Sequence, residues 1–348
     1  MTQQNIGNAS LHVKTSCSDL EIFFSNADVD ILSLSDSILC LVNAVFSFVA
    51  VFANIIVFYA LYKATSLNST SKALLCSLAL SDLGVGAIVQ PLFIVYRWAK
   101  IQNRLEDEAC TAGIIAHIVG SHLSAVSFLT MTAISVDRLL ALHLRIKYQA
   151  TITLKRTLVV LALIWVSGGL WARSWKKNQD VYSIFSIIYI PVCFLVAFLS
   201  YFKIYLALRK HACKMGGHIN PLKCKRKTNE MNFSRYKKSV VSMFYLFCAF
   251  LVSFLPYLCH KLAVIISGWN TSTSVLFSVG LTMVYLNSSL NPLIYCWRIS
   301  EVKQTVLQVL CGCKGRRDSV IQLNKVAFSS NKRQVKLLLP RPPENVAV

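Results

Sequence analysis

Long stretches without a charged residue are the feature of this sequence that most restricts its fold. Asp, Glu, Lys and Arg are absent from residues 37–62, 109–136, 157–172, 181–202, 239–259 and 262–297, and residues 73–96 contain a single charge, Asp82. About 20 apolar residues in a helix cross the hydrocarbon core of a bilayer. These seven stretches predict seven membrane-spanning helices, which excludes a soluble enzyme, a nucleic-acid-binding domain and a disordered chain.

The net charge of +21 is divided unevenly between the loops. If the loops alternate between two sides and residues 1–36 are extracellular, the extracellular side holds eight basic and nine acidic residues, and the cytoplasmic side 28 basic and five acidic residues. Basic loops remain cytoplasmic in membrane proteins. The chain is therefore predicted to be a multi-pass protein of the plasma membrane with an extracellular N terminus. Its basic excess fits topology and attraction to anionic membrane lipid, with no nucleic-acid partner.

Two glycosylation sequons fall on the side predicted to be extracellular. They are Asn8-Ala9-Ser10 in the N-terminal tail and Asn270-Thr271-Ser272 before the last span. Only asparagines on the lumenal side of the membrane receive the sugar. The sequence predicts a glycoprotein modified at Asn8 and Asn270.

Polar residues inside the predicted spans indicate an ion site or a polar network. Asp82 lies in the middle of the second span, and a carboxylate at that depth is costly unless it serves a function. Asn287 and Asn291 lie four residues apart, on one face of the seventh span. One carboxylate with hydroxyl and amide oxygens suits a small hard cation. The alternative is a network of hydrogen bonds that holds the helices together.

Six motifs occur in order along the spans. They are Asn54 in the first span, Leu78 and Asp82 in the second, Asp137-Arg138-Leu139 at the end of the third, Trp165 in the fourth, Phe254-Leu255-Pro256-Tyr257 in the sixth and Asn287-Ser288-Ser289-Leu290-Asn291-Pro292-Leu293-Ile294-Tyr295 in the seventh. Over residues 36–313 the chain resembles the rhodopsin-like (class A) G-protein-coupled receptors. The short loop at 174–180 is most similar to the melanocortin, adenosine and lipid receptor branch.

The resemblance implies a receptor that is not an enzyme. It would bind an unidentified extracellular ligand in the outer helical cavity and activate heterotrimeric G-proteins at its cytoplasmic face, with arrestin and receptor kinases as further partners. It implies no cofactor but an allosteric sodium ion. The residues that match the sodium site are Asp82, Ser127, Asn287 and Asn291. The alternative function is a seven-span transporter or channel that uses Asp82 as its ion site.

The resemblance also assigns an activation switch. Asp137 would restrain Arg138 in the resting state, and Arg138 would meet the G-protein once it is released. Pro256 removes a hydrogen bond from the sixth helix and bends it. The residues matched to coupling and switching are Asp137, Arg138, Ile146, Tyr201, Phe254, Pro256, Asn291, Pro292 and Tyr295. The sixth span has Phe254 where the family commonly has tryptophan, which keeps the aromatic ring but loses the indole N–H.

The ligand is less constrained by the sequence than the receptor class. Residues expected to face the outer cavity are Gln90, His117, Gly120, Ser121, Ser124, Tyr257, Lys261, Leu281 and Tyr285. Gly120 stands where receptors for monoamines have an aspartate, which argues against a monoamine. His117, His260 and Lys261 would suit an anionic lipid or another acidic ligand. The alternative is that these side chains extend to the membrane interface.

The C-terminal part and the cysteines complete the prediction. The expected architecture is an all-α seven-transmembrane helix bundle (36–297) that follows an extracellular tail (1–35). An amphipathic eighth helix with a cysteine pair (298–313) and a disordered cytoplasmic tail (314–348) come after the bundle. Cys311 and Cys313 are predicted to carry palmitate.

Relatives join the top of the third span to the second extracellular loop by a disulfide, but residues 174–180 contain no cysteine. A Cys17–Cys110 disulfide is expected, with free thiols or a bond to Cys259 as alternatives.

Overall fold

Seven long helices form the part of the chain that the structure describes. This computed structural model describes residues 29–64, 67–102, 104, 107–144, 147–216 and 223–298, without the side chains of 29–32, 179–180, 210–239, 242–243 and 295–298. The helices are α1 (Val29–Lys63), α2 (Ser69–Ile101), α3 (Asp107–Leu144), α4 (Leu154–Lys177), α5 (Gln179–Gly216), α6 (Lys223–Ser267) and α7 (Thr271–Arg298). All seven contain a stretch that is long and apolar enough to cross a membrane. This confirms the predicted seven-helix bundle.

The helices are joined by short connections. Asn178 alone separates α4 from α5, and the short helix Tyr148–Thr151 lies between α3 and α4. The N-terminal end of the bundle, where α1 begins, therefore also holds the α2–α3, α4–α5 and α6–α7 connections. The opposite end holds the α1–α2, α3–α4 and α5–α6 connections. All described helices belong to one compact unit, Met1–Lys303, and the second unit, Gln304–Val348, lies outside the described residues.

The first helix begins earlier than the predicted boundary at residue 36. It starts at Val29, so Asp36 lies inside α1 and is only 1% exposed. The carboxylate Oδ1 accepts a hydrogen bond of 2.7 Å from Arg97 of α2, which is also 1% exposed. Lys100 Nζ is 3.9 Å from the other carboxylate oxygen. A buried acid is tolerated within a helix when a paired cation satisfies it, and this pairing was not predicted from the sequence.

The second helix contains one π-helical turn, Val85–Val89, directly after Asp82. Such turns often occur at functional sites and change the rotation of the helix beyond them. Gly86 within this turn lies against α1, and a Cβ at that position would come 2.7 Å from the Cβ of Ala50. Ser47 of α1 donates a hydrogen bond of 2.7 Å to the Gly86 carbonyl. The missing side chain allows α1 and α2 to pack closely.

The last helix begins with a cap that the sequence analysis did not identify. Asn270 precedes α7, and its Oδ1 accepts a hydrogen bond of 3.0 Å from the Thr273 N–H. The Thr273 hydroxyl accepts in return from the Asn270 N–H at 2.9 Å. This reciprocal pattern satisfies N–H groups that the first helical turn leaves free. The predicted glycosylation site Asn270 therefore also has a structural role.

Candidate functional site

A buried polar centre joins α2, α3 and α7 in the middle of the bundle. Asp82 is fully buried. Its Oδ1 accepts a hydrogen bond of 3.3 Å from the Ser127 hydroxyl, and its Oδ2 accepts one of 2.7 Å from Asn291 Nδ2. The structure thus brings three of the four predicted sodium-site residues into direct contact.

Several buried oxygens around this centre accept no hydrogen bond. They are the side-chain amide oxygens of Asn54, Asn287 and Asn291. Asn54 uses its amide N–H to bond the carbonyl of Ser288 at 3.0 Å, and Asn287 lies one turn before Asn291 on α7. Buried acceptors without hydrogen-bond partners are uncommon in proteins and call for a physical explanation. The donor set of one carboxylate with hydroxyl and amide oxygens fits a small hard cation.

A second cluster of charged and polar residues lies near the C-terminal end of α3. Arg138 Nη2 lies 2.8 Å from Asp137 Oδ2 and also donates a hydrogen bond to the Ser71 hydroxyl of α2. Tyr148, in the short helix Tyr148–Thr151, donates a hydrogen bond of 2.5 Å to Asp137 Oδ1. Both oxygens of the Asp137 carboxylate are therefore engaged. The predicted Asp137–Arg138 pair is present, while Ser71 and Tyr148 were not identified from the sequence.

Tyr148 is suited to be a permanent donor in this cluster. Its side chain is 7% exposed. Burial raises the pKa of its phenol well above the ordinary value, and the adjacent Asp137 carboxylate raises that pKa further. The phenol therefore keeps its proton at physiological pH. No sequence motif marks Tyr148, because its role depends on the path of the α3–α4 connection.

Phenylalanine rings of α3, α5 and α6 pack against one another inside the bundle. The ring of Phe254 on α6 lies 5.1 Å from Phe128 on α3 and 6.3 Å from Phe194 on α5, measured between ring centroids. Pro256 follows within α6, and Pro292 lies within α7. Tyr201 on α5 packs against α6. The predicted switch residues Phe254 and Pro256 thus lie where three helices meet.

A cavity of about 250 Å³ opens near the N-terminal end of the bundle. Aromatic, histidine and basic side chains form most of its wall. The lining residues include Phe93, Tyr96, Arg97, His117, Trp175, Tyr182, Ser183, His260, Lys261, Trp269, Phe277, Leu281 and Tyr285. Four of the residues expected to face the outer cavity, His117, Lys261, Leu281 and Tyr285, line this cavity. Arg97, Trp175, Tyr182 and Phe277 were not predicted.

A smaller cavity of about 40 Å³ lies deeper between the helices. It contains four more of the residues expected at the ligand cavity: Gly120, Ser121, Ser124 and Tyr257. Tyr182, Leu281 and Tyr285 belong to the walls of both cavities. A Cβ at Gly120 would approach the Tyr285 hydroxyl to 2.8 Å, so the position accommodates no side chain.

Gln90 does not line either of these cavities. It is fully buried, and its Nε2 donates a hydrogen bond of 3.3 Å to Asn43 Oδ1 on α1. Asn43 in turn donates to the Thr282 hydroxyl on α7 at 3.0 Å. Gln90 therefore belongs to a polar connection between α1, α2 and α7. It follows the π-helical turn directly, and its direction could not be inferred from a regular helix.

Several predicted residues lie outside the described part of the chain. They are Asn8, Cys17, Ile146, Cys311 and Cys313, together with the eighth helix after residue 298 and the side chain of Tyr295. Cys110 is disulfide-bonded. Cys259, which the sequence left open as its partner, is a free cysteine.

These features define a class of protein. A seven-helix membrane bundle has a cavity at one end, a buried carboxylate centre at mid-depth and an acid–arginine pair at the other end, which is the organisation of a seven-span receptor. The sequence matches the 7 transmembrane receptor (rhodopsin family) over residues 53–174 and 170–295, and the chain belongs to this family. It is similar to the adenosine receptor A3 of Bos taurus, with 25% identity over 291 residues that cover 76% of this chain and 86% of the relative.

Proposed function

We propose that this G-protein-coupled receptor binds a small extracellular ligand in the 250 Å³ cavity and transmits the signal through α3 to the Asp137–Arg138 pair. The observation that supports this proposal most strongly is the pair itself. Arg138 is held by Asp137 and Ser71, so it is not available to a partner at that end. Activation would require this cluster to separate. Family membership does not favour the transporter alternative.

The proposed sequence of events uses the residues between the two ends. A ligand in the larger cavity would contact Tyr182, Leu281 and Tyr285, which also border the deeper cavity. Phe254 forms part of that deeper wall and packs against Phe128 of α3. Movement of these rings would be accompanied by movement of α6 at its Pro256 bend. The released Arg138 would then accept the G-protein, with Ile146, Tyr201 and Tyr295 as additional contacts.

The nucleotide-exchange activity of purified receptor tests this proposal. The full chain in lipid nanodiscs, without ligand, is expected to stimulate GTP uptake by heterotrimeric G-proteins above the level of empty nanodiscs. Arg138→Ala should abolish that stimulation, because no other described cation occupies this position between α2 and α3. Lys63→Met, which changes an exposed lysine at the same end of the bundle, is the matched control. Equal exchange by wild type and Arg138→Ala would contradict the proposal.

We also propose that the Asp82 centre binds sodium and that this ion stabilises the resting state. Support comes from the carboxylate, the Ser127 hydroxyl and the amide oxygens of Asn287 and Asn291, which accept no hydrogen bond. An ion that binds only one state stabilises that state by mass action. Replacing choline by sodium at equal ionic strength should therefore raise the melting temperature of the purified receptor. A gain of about 1 kcal/mol would correspond to about 2–4 °C.

Two variants separate an ion site from a hydrogen-bond network. Asp82→Asn keeps the shape of the side chain but removes its charge, so the response to sodium should disappear. Asp107→Asn removes an exposed charge at the start of α3 and should leave the response intact. If wild-type receptor melts at the same temperature in sodium and choline, the centre is a structural network.

Further proposals concern topology and modification. We place the N-terminal end of the bundle outside the cell, with Asn8 and Asn270 glycosylated and Cys17 bonded to Cys110. The eighth helix and palmitate on Cys311 and Cys313 would attach the chain to the inner leaflet lipid. Arrestin and receptor kinases would act at the same cytoplasmic end. The charge distribution and the bonded state of Cys110 support this arrangement.

A further inference from the structure

Lys261 is a cation inside the larger cavity. Its Nζ donates a hydrogen bond of 3.2 Å to the Ser183 hydroxyl on α5. The same atom lies 5.5 Å from the ring centroid of Tyr182 and 5.6 Å from that of Tyr257. The side chain therefore lies between α5 and α6 and lines the cavity. None of the ion pairs among the described side chains includes Lys261.

The other strongly basic side chain in this cavity is already neutralised. Arg97 forms an ion pair of 2.7 Å with Asp36, and both residues are 1% exposed. Among the described side chains, the contacts of the Lys261 ammonium are one hydroxyl and two aromatic rings. These groups stabilise a cation less than a carboxylate does. A low-dielectric cavity that contains such a charge favours an anionic occupant.

His260 provides a second specific contact. It is fully buried and lines the cavity. Its Nδ1 lies 2.9 Å from the Thr273 carbonyl, which can only accept, so Nδ1 carries the proton. In the neutral ring Nε2 is then an acceptor, and this atom has no hydrogen-bond partner. A ligand hydroxyl or N–H would satisfy it.

The remaining wall selects for a flat apolar group. His117 packs on Trp175 with 4.5 Å between ring centroids, and Phe277 lies 4.9 Å from the ring of His260. The cavity is smaller than the roughly 300–1,000 Å³ typical of drug-sized sites. It fits a molecule with one ring system and leaves no room for a folded partner.

We infer that the ligand is a small aromatic organic anion, a carboxylate or a phosphate monoester, whose anionic group pairs with Lys261 while a hydroxyl or N–H donates to His260 Nε2. This inference rests on the proposed function, since it assigns a ligand class to the same cavity. A neutral nucleoside, as the name of the adenosine receptor relative would suggest, would leave the Lys261 charge unpaired. Asp180 is the acidic residue of α5 and lies one turn before Ser183. Its side chain is outside the described residues, so a variant at position 180 is included in the test.

Matched pairs of acid and neutral probes test the inference on the full-length receptor in nanodiscs. The pairs are indole-3-acetate with indole-3-acetamide, 4-hydroxyphenylacetate with its amide, and adenosine 5′-monophosphate with adenosine. At least one acid is expected to bind about tenfold more tightly than its neutral counterpart, as a charge-assisted hydrogen bond provides. The first two pairs test carboxylates and the third tests a phosphate.

Variants at position 261 assign the preference to this lysine. Lys261→Gln keeps a donor for Ser183 but removes the charge, and it should abolish the preference for the acid. Lys261→Arg should retain it, which distinguishes a lost charge from a damaged fold. Lys63→Met is the control for removal of a lysine elsewhere. Asp180→Asn should leave the affinity for the acid unchanged or increase it.

Two results would overturn the inference. One is that no acid binds better than its neutral counterpart, and the other is that the preference is equal in wild type and Lys261→Gln. The inference would also be contradicted if Asp180→Asn weakened binding of the acidic probe as much as Lys261→Gln does. The site would then require the Asp180 carboxylate. The nucleotide-exchange assay is run on the same preparations. Exchange without acid preference refutes the ligand class alone, whereas absent exchange refutes the proposed function.

Discussion

At the scale of single residues, the cluster near the C-terminal end of α3 is organised by one carboxylate that has two partners. Asp137 accepts from Tyr148 at one oxygen and pairs with Arg138 at the other. Arg138 is also bonded to Ser71 of α2. Residues of three helical segments thus define the position of the arginine in this structure. Loss of any one of these contacts should shift the equilibrium between resting and active receptor by about the free energy of a single hydrogen bond.

Tyr148→Phe removes the phenol donor and keeps the ring. A hydrogen bond to a charged group contributes about 1.5–3 kcal/mol. Even about 1–2 kcal/mol would change the ratio of active to resting receptor by roughly five- to thirtyfold. Ligand-free nucleotide exchange should therefore increase in Tyr148→Phe. Tyr62→Phe is the matched control, because Tyr62 lies on α1 at the same end and is 87% exposed.

The contribution of Tyr148 should not vary with pH in the physiological range. Its pKa is raised in the folded protein, so its stabilising effect is complete below the ordinary tyrosine value of about 10 and is lost only at higher pH. The ratio of exchange rates between Tyr148→Phe and wild type should thus be constant from about pH 6 to pH 8.5. A ratio that changes severalfold over this interval would show that another titrating group controls the cluster.

At the scale of elements, two helical glycines differ in how closely a neighbouring helix approaches them. A Cβ on Gly86 would lie 2.7 Å from Ala50 Cβ and 3.1 Å from the Ser47 carbonyl, so α1 and α2 would have to separate. Gly169 on α4 has its nearest such neighbour at 3.6 Å, which is an ordinary contact. The two glycines therefore have opposite expected responses to the same substitution.

Gly86→Ala should lower the stability of the purified receptor. Overpacking at a rigid contact costs about 1–3 kcal/mol, which exceeds the gain of up to about 1 kcal/mol from the better helix propensity of alanine. Gly169→Ala makes the same chemical change without the clash and should leave the melting temperature unchanged or raise it. Thermal unfolding in detergent measures both variants. Equal melting temperatures for the two would show that the α1–α2 contact can relax.

A variant that tests the proposed glycan at Asn270 has to leave the cap of α7 intact. Asn270→Gln would eliminate the sequon and the capping oxygen together, at a cost of about 1 kcal/mol. Ser272→Ala eliminates the sequon but leaves the reciprocal bonds between Asn270 and Thr273 in place. If Asn270 carries a glycan, Ser272→Ala should increase electrophoretic mobility without lowering thermal stability.

At the scale of the whole molecule, Cys110 is a covalent attachment at the start of α3. It is disulfide-bonded, and the α4–α5 connection consists of Asn178 alone, so that connection supplies no cysteine. We propose Cys17 as the partner. The N-terminal segment before α1 would then be tied to α3 beside the ligand cavity, where Gly113 of α3 lines the wall.

Cys17→Ala and Cys110→Ala should lower stability by similar amounts, about 2–4 kcal/mol for loss of one disulfide. The double variant should be no less stable than either single variant, because all three lack the same bond. Cys259→Ala changes an exposed free cysteine and should have no effect. Mass spectrometry of non-reduced peptides identifies the partner directly, and a Cys110 peptide linked to any other cysteine would refute the assignment.

The sequence by itself determined the number of helices and the receptor family, and it singled out Asp82, Asp137 and Arg138 as the charged residues of the two polar centres. It could do so because the bilayer requires each span to be apolar over its own length, a local property that hydropathy records. Polar residues inside such spans are few, and their spacing along one helix shows which of them share a face.

Only the tertiary structure decided which groups meet across helices. Tyr148 and Ser71 at the arginine cluster depend on the path of a connection and on the packing of α2 against α3. Gln90 lies outside the described cavities because it comes directly after the π-helical turn Val85–Val89. A regular period of 3.6 residues does not predict such a turn. Among the described side chains, Arg97 is paired with Asp36 across α1 and α2, and Lys261 has no ion pair. Such pairings depend on helix rotation and distance, which are set by side-chain packing across the whole bundle.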